Sequence, residues 1–268
     1  MKVSGVGSTG KAKNIPIAFF TIFTSLKHGP VLMKILLVSA TYAEVKPLVE
    51  PVALTTITEG QFYRLRFQEP EINLLITGIG MIPTAFCLGK FLPGGSYHLA
   101  VQAGVCGSYE EHLVPGSVVN VTEECLPEVG VTRDGEIRSL FHPGLIDPNG
   151  FPFENGKLVN RTCPSLQCLG SLPSVSGNTV HTLRTDPREI RQLKKQFPAS
   201  VESMEGAAFL YACLREHIPC IQTRAVSNYA GQSNPSEWKL AQAIRNLADK
   251  LAELLEELRM IKSDQATR

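Results

Sequence analysis

Glu202-Ser203-Met204-Glu205-Gly206-Ala207-Ala208, followed by an apolar run and then by Arg224-Ala225-Val226-Ser227-Asn228, is the stretch on which the fold turns. Acidic residues and a glycine open a helix over Ala207 to His217, where carboxylates suit the positive end of the helix dipole. The segment Pro219 to Ser227 is apolar, bounded by a proline and polar residues, and reads as a buried strand. The acidic pair around Met204 has no use in a core. At the mouth of a helix, a carboxylate makes sense if it grips the hydroxyls of a small ligand.

The same alternation recurs outward from this stretch. Strand-like runs cover Lys34 to Ser39, Ile72 to Thr77 and His98 to Ala103, and a Val-rich run covers Ser117 to Thr122. Helical signals follow the first two, over Ala43 to Glu50 and Pro83 to Phe91. A last helix, Ser236 to Met260, carries Leu240, Ile244, Leu247, Leu251, Leu254 and Leu258 at helical spacing, an apolar stripe that should dock on the body. Strands alternating with helices predict a largely parallel sheet covered on both faces. Glu123 to Ser176 is rich in Gly, Pro and Asn and reads as an excursion of loops and short strands, not a second domain.

The 268 residues suffice for one large α/β domain with a substantial core. A net charge of +1 gives no electrostatic case for nucleic acid or a membrane surface as partner. Seven cysteines form no CxxC pair and no even framework, which fits a reducing compartment and a cytoplasmic location. Cys163 and Cys168 are the one close pair and lack His partners at zinc-site spacing, so no metal is expected. Residues 1–32 loosely imitate a signal peptide, with Lys11 and Lys13 before an apolar stretch from Ile15 to Phe23. That stretch is too short to span a bilayer, and no small-x-small cleavage site follows it. Met33-Lys34-Ile35 reads like a natural chain start, so 1–32 is taken as an irregular extension, 33–262 as the folded domain and 263–268 as a tail.

In open α/β sheets ligands bind beyond the carboxyl ends of the strands. Those ends read Ser39 to Glu44, Gly78-Ile79-Gly80, Gly104-Val105-Cys106-Gly107-Ser108 and Ser227-Asn228. Two are Gly-rich and admit close backbone approach to a ligand. The others carry one carboxylate, Glu44, and one carboxamide, Asn228. Each member has a bland alternative: Glu44 as a first-turn helix residue, the glycines as turns, Asn228 as a turn former, Glu205 as a helix-end charge. Their joint placement is what points to a site.

These motifs resemble the purine nucleoside phosphorylase and methylthioadenosine nucleosidase superfamily over residues 33–255, and within it they look most like the futalosine hydrolases of menaquinone biosynthesis. The resemblance implies a single-domain phosphorylase/hydrolase-like fold with a central mixed, mostly parallel sheet flanked by helices. It implies an N-glycosidase without cofactor that takes a purine nucleoside, in a homo-oligomer. Glu44 matches the water-activating carboxylate, Glu205 the acceptor of the ribose 2′ and 3′ hydroxyls, and Met204 the apolar residue against the sugar. Asn228 matches the position facing N7 of the purine. Gly80 and Gly107 belong to the binding loops, and Val180 to a segment that flanks the base. Arg224 is expected to pair with a buried acid, Glu202 or Glu205.

Adenine-specific members carry Asp where this chain has Asn228. A carboxamide has no titratable proton with which to protonate N7, but it can donate a hydrogen bond toward N7 or O6 of a 6-oxopurine such as the hypoxanthine of futalosine. Phosphorylases of the superfamily use Arg near the Gly loops. Ile79 to Ile82 and Val101 to Gly104 hold no Arg or Lys, so water is the expected nucleophile. The expected products are hypoxanthine and dehypoxanthine futalosine. The alternatives are another purine nucleosidase or a phosphorylase of the superfamily, and a non-catalytic nucleoside-binding protein. Phe62, Tyr63, Arg64, Phe86 and Tyr97 are candidates for a pocket around the 5′ substituent.

Overall fold

The computed structural model describes residues 33–266, apart from 53–56, 59, 66–69, 134–135 and 142–144. The extension over 1–32 and the last residues of the tail lie outside the described residues. The chain runs through β1 (Lys34–Ser39), α1 (Tyr42–Val49), β2 (Gln61–Leu65), β3 (Glu71–Ile76), α2 (Met81–Phe91), β4 (Leu99–Ser108) and β5 (Val118–Cys125). Two hairpins follow, β6 (Gly130–Arg133) with β7 (Glu136–Ser139), and β8 (Phe153–Glu154) with β9 (Lys157–Val159). Then come β10 (Ser174–Thr179), α3 (Pro187–Gln196), β11 (Val201–Ser203), α4 (Gly206–Arg215), β12 (Cys220–Tyr229) and α5 (Leu240–Ala266).

The four apolar strands expected from the sequence lie side by side and parallel, in the order β3-β1-β4-β12. Strand β2 adds antiparallel to β3 at the edge. On the other side the sheet does not stay open. β12 pairs β5, β5 pairs β10, β10 pairs β11, and β11 returns to β4, closing a five-strand ring. Closure is possible because β4 is long. Its first half, Leu99 to Gln102, pairs β1, and its last two residues, Gly107 and Ser108, pair β11. Cys106, Val119, Val121, Val175, Val201 and Val226 bring all five ring strands into one apolar cluster.

Side-chain alternation along β1 serves two helical layers. Ile35 and Leu37 pack with Val45 and Val49 of α1 and Leu247, Leu251 and Leu254 of α5. Leu36 and Val38 pack on the opposite face with Leu88 of α2 and Phe209, Leu210 and Cys213 of α4. Truncating a fully buried member such as Leu247 to Ala should cost about 2–5 kcal/mol. Cys87, Cys106, Cys125, Cys213 and Cys220 are buried as small core residues.

Three elements depart from the sequence reading. Gly104 to Ser108, read as the loop after the third strand, is the second half of β4, because each glycine there faces a charged side chain and not a turn. Helix α3 carries no apolar run, because it is mostly charged and its apolar side is reduced to Ile190 and the one buried residue Leu193. Helix α5 runs on past Met260 to Ala266. Among the described residues no helix is long and apolar enough to cross a membrane.

Candidate active site

Glu44 is the third residue of α1, and Thr41 caps that helix. Its Oε2 accepts from the Thr41 backbone N–H at 2.8 Å, from Thr41 Oγ1 at 3.0 Å and from Ser39 Oγ at 3.2 Å. Its Oε1 accepts from the Val105 N–H at 3.0 Å. Oε2 thus serves the capping of α1, and Oε1 reaches across to β4. Burial to 7 % exposure places this carboxylate at the interface of β1 and β4, not in solvent.

Gly104 makes that approach possible. A β-carbon there would lie 2.9 Å from Glu44 Oε1 and 2.5 Å from Arg224 Nη1. Arg224, on β12, is 1 % exposed, and its Nη1 donates to Glu205 Oε2 at 3.2 Å and to the Val105 carbonyl at 3.4 Å. Of the two acids weighed as its partner, Glu205 is the one it meets. The other Glu205 oxygen, Oε1, accepts the Gly80 N–H at 2.9 Å across 125 positions of sequence. Gly80 adopts φ +98°, which an L side chain rarely tolerates, and caps α2. Gly80 thus holds Glu205 through its backbone. Met204, partly exposed, stands between Ser203 and Glu205 at the mouth of α4.

The second cluster lies at the end of β12. Its register against β4 slips at Ser227, a bulge that sets Asn228 opposite Gly107. Ser227 Oγ donates to Asn228 Oδ1 at 2.7 Å, and Asn228 Nδ2 donates to the Tyr229 carbonyl at 2.9 Å. One amide hydrogen of Asn228 remains to donate elsewhere, with its orientation fixed by the bonds to the other two atoms. Val180 is fully buried, and its N–H donates to the Ser203 carbonyl at 2.9 Å. It supports Ser203 at the end of β11, just before Met204, and presents no open surface.

A family model described as the phosphorylase superfamily matches residues 34–258. The chain belongs to the phosphorylase superfamily. It is 31 % identical over 188 residues to the futalosine hydrolase of Thermus thermophilus, a match covering 68 % of this chain and 80 % of that protein. It is 28 % identical over 240 residues to the 5′-methylthioadenosine/S-adenosylhomocysteine nucleosidase of Bacillus thuringiensis, covering 85 % of this chain and all of that one. The solved structure of Helicobacter pylori futalosine hydrolase shares the fold at TM-score 0.69 and 18 % identity, covering 84 % of this chain and 98 % of that chain. Like these relatives, this superfamily member is an N-glycosyl hydrolase.

Within the superfamily fold the four described candidates for the 5′ pocket, Phe62, Tyr63, Phe86 and Tyr97, do not converge. Phe62 stacks on Phe91 at the sheet edge, with ring centroids 5.5 Å apart. Tyr63 bonds through its hydroxyl to Thr58, and Tyr97 is buried under the Lys34 ammonium. Phe86 stands exposed on α2, and the Arg64 side chain is outside the described residues. Aromatic content alone cannot separate an edge-packing residue from a pocket wall.

Sequence reasoning also missed a buried acid. Glu124 of β5 accepts from Gln222 Nε2 and from Thr179 Oγ1, and Thr179 Oγ1 in turn accepts the Ala207 N–H in the first turn of α4. Burial pushes the Glu124 carboxyl up to about 7. Gly177 and Gly206 are glycines because a β-carbon at either would strike its carboxylate. A Glu inside a Val-rich strand, followed later by two glycines, was the available signal.

Proposed function

We propose that this enzyme hydrolyses the N-glycosidic bond of futalosine, releasing hypoxanthine and dehypoxanthine futalosine, as a step of menaquinone biosynthesis. Asn228 carries the reading. Its Oδ1 is occupied by Ser227 and its remaining amide hydrogen is free, so it serves as a donor toward N7 and O6 of a 6-oxopurine. The futalosine hydrolase relative at 31 % identity supports the same substrate.

In this mechanism Glu44 prepares the water and Glu205 accepts the ribose hydroxyls, with Met204 against the sugar. Two buried carboxylates against the single Arg224 guanidinium leave an excess of negative charge at the sugar end. That excess suits the positive charge that grows on the ribose as the glycosidic bond breaks. Arg224 Nη1 is given to Glu205 and the Val105 carbonyl, the Gly80 N–H is given to Glu205, and the Gly loops over Ile79 to Ile82 and Val101 to Gly104 bring no further Arg or Lys, which supports water over phosphate. Water is the nucleophile, and neither metal nor cofactor is required.

The protein works in the cytoplasm on a small-molecule purine nucleoside, without nucleic acid or membrane as partner, and as a homo-oligomer. An apolar groove of about 600 Å³ between α2 and α4, lined by Met81, Ile82, Ala85 and Tyr211, supports self-association, with Ile82 77 % exposed.

Incubation with futalosine, inosine and methylthioadenosine, with and without phosphate, followed by chromatography of the released base, tests the proposal. Phosphate-independent release of hypoxanthine is expected. Preferential release of adenine would favour the second reading, a methylthioadenosine-type nucleosidase, which the relative matched over its whole length supports.

A further inference from the structure

Glu202 is a buried carboxylate that the mechanism above leaves unused. It sits at the centre of β11, 3 % exposed, directly opposite Gly107 in the antiparallel pairing with β4. A β-carbon at Gly107 would lie 3.3 Å from Glu202 Cγ, 3.3 Å from Glu202 Oε1 and 3.6 Å from Asn228 Nδ2. The Glu202 carboxylate and the Asn228 carboxamide therefore converge on the room left by one missing side chain.

The two carboxylate oxygens of Glu202 differ. Oε2 accepts the Tyr109 hydroxyl at 2.6 Å. Tyr109 is itself anchored, its N–H donating to the Ser200 carbonyl at 2.9 Å and its own carbonyl accepting Lys194 Nζ at 2.8 Å. Oε1 takes no hydrogen bond among the described residues. Oε1 is not sealed among the buried unpartnered atoms, so it is an acceptor held in place through its sister oxygen and open to a ligand.

We infer that Glu202 sets base specificity, its free oxygen accepting the N1–H of a 6-oxopurine while Asn228 donates to the O6 and N7 side. This rests on the proposed cleavage of a 6-oxopurine nucleoside. The pattern of donors and acceptors decides it. A 6-oxopurine presents a donor at N1 beside an acceptor at O6, which complements a carboxylate beside an amide N–H. Adenine presents the reverse, an acceptor at N1 beside a donor at the 6-amino group. Its N1 lone pair would face the carboxylate, so rejection of adenine comes from repulsion as well as from a lost bond.

The test measures binding of hypoxanthine, 1-methylhypoxanthine and adenine to the full-length enzyme by calorimetry, in wild type, Glu202→Gln and Glu202→Ala. Melting curves serve as the folding control. Wild type should prefer hypoxanthine to both other bases by about tenfold or more, as a bond to a charged acceptor warrants. Glu202→Gln keeps the shape and the Tyr109 bond while offering an amide donor, so its hypoxanthine-to-adenine ratio should fall by about tenfold. Glu202→Ala should lose discrimination against the 1-methyl base. A wild type that releases hypoxanthine from futalosine, paired with a Glu202→Gln variant of unchanged ratio, overturns the role of Glu202 alone. A wild type that releases no hypoxanthine from either futalosine or inosine overturns the substrate reading beneath it.

Discussion

On the proposed roles, the sugar end and the base end of the site are built on opposite plans. At the sugar end every carboxylate oxygen is taken: Glu44 by Ser39, Thr41 and Val105, and Glu205 by Gly80 and Arg224. At the base end Asn228 keeps one amide hydrogen free and Glu202 one oxygen. Carboxylates whose oxygens are all engaged are held rigid and keep their charge in one place. A partly satisfied one is specific, because it is completed only by a ligand with the complementary pattern. The contrast separates what makes this chain a nucleosidase from what selects its base.

Substitutions at the two ends should therefore fail differently. Glu44→Gln removes the base that prepares water, and kcat should fall by about 10²–10⁴-fold while ligand binding is largely kept, read from base release alongside calorimetry. Near-normal turnover would break the comparison at its strongest point. Arg224→Met leaves Glu205 buried without its countercharge, and denaturant titration should show a loss of about 3–5 kcal/mol. Asn228→Asp loses the bond to the Tyr229 carbonyl and should cost about 1–3 kcal/mol, while raising the ratio of adenine to hypoxanthine released by about tenfold, since a carboxyl can protonate N7. An unaltered ratio would remove Asn228 from the base end.

The smallest effect concerns Glu124, which sits under α4 within reach of the fields of Arg224 and Glu205. Its carboxyl is raised from 4.5 to about 7 in the folded chain. Between those values the native protein holds a proton that the unfolded chain has released, so this group makes stability fall as pH rises across the window. Glu124→Gln should flatten the fall of Tm between pH 4.5 and 7. An identical slope in the variant would remove Glu124 as its source.

Much of the frame was legible in the chain. Strands β1, β3, β4 and β12 and helices α1, α2, α4 and α5 announce themselves because each buries a periodic apolar face. Glu44, Glu205, Arg224 and Asn228 were legible as strand-end and helix-mouth residues, and the structure gathers the first three into one cluster. What stayed hidden was what depends on pairing between distant segments. Strand β11 is three residues long, too short for any periodicity, yet it closes the ring by meeting Gly107 from 95 positions away. The glycines of β4 looked like turns because the charged groups that need their space, Arg224, Glu44 and Glu202, arrive from elsewhere in sequence. Val180 looks from sequence like a neighbour of the base, and its burial behind Ser203 is a tertiary fact that no local pattern carries.

One strand sets the length scale of all this. Gly104 and Val105 receive the sugar-end charges, and Gly107 faces the base-end pair, all on β4. A strand advances about 3.3 Å per residue, so on the proposed roles β4 works as a ruler laid along the nucleoside. A substitution on it blurs one mark. An insertion or deletion between 104 and 107 would turn every later side chain to the other face and separate the two ends by the wrong distance. Length change should therefore be tolerated in the β6–β7 hairpin and forbidden in β4, a constraint on how the chain can diverge that no single contact reveals.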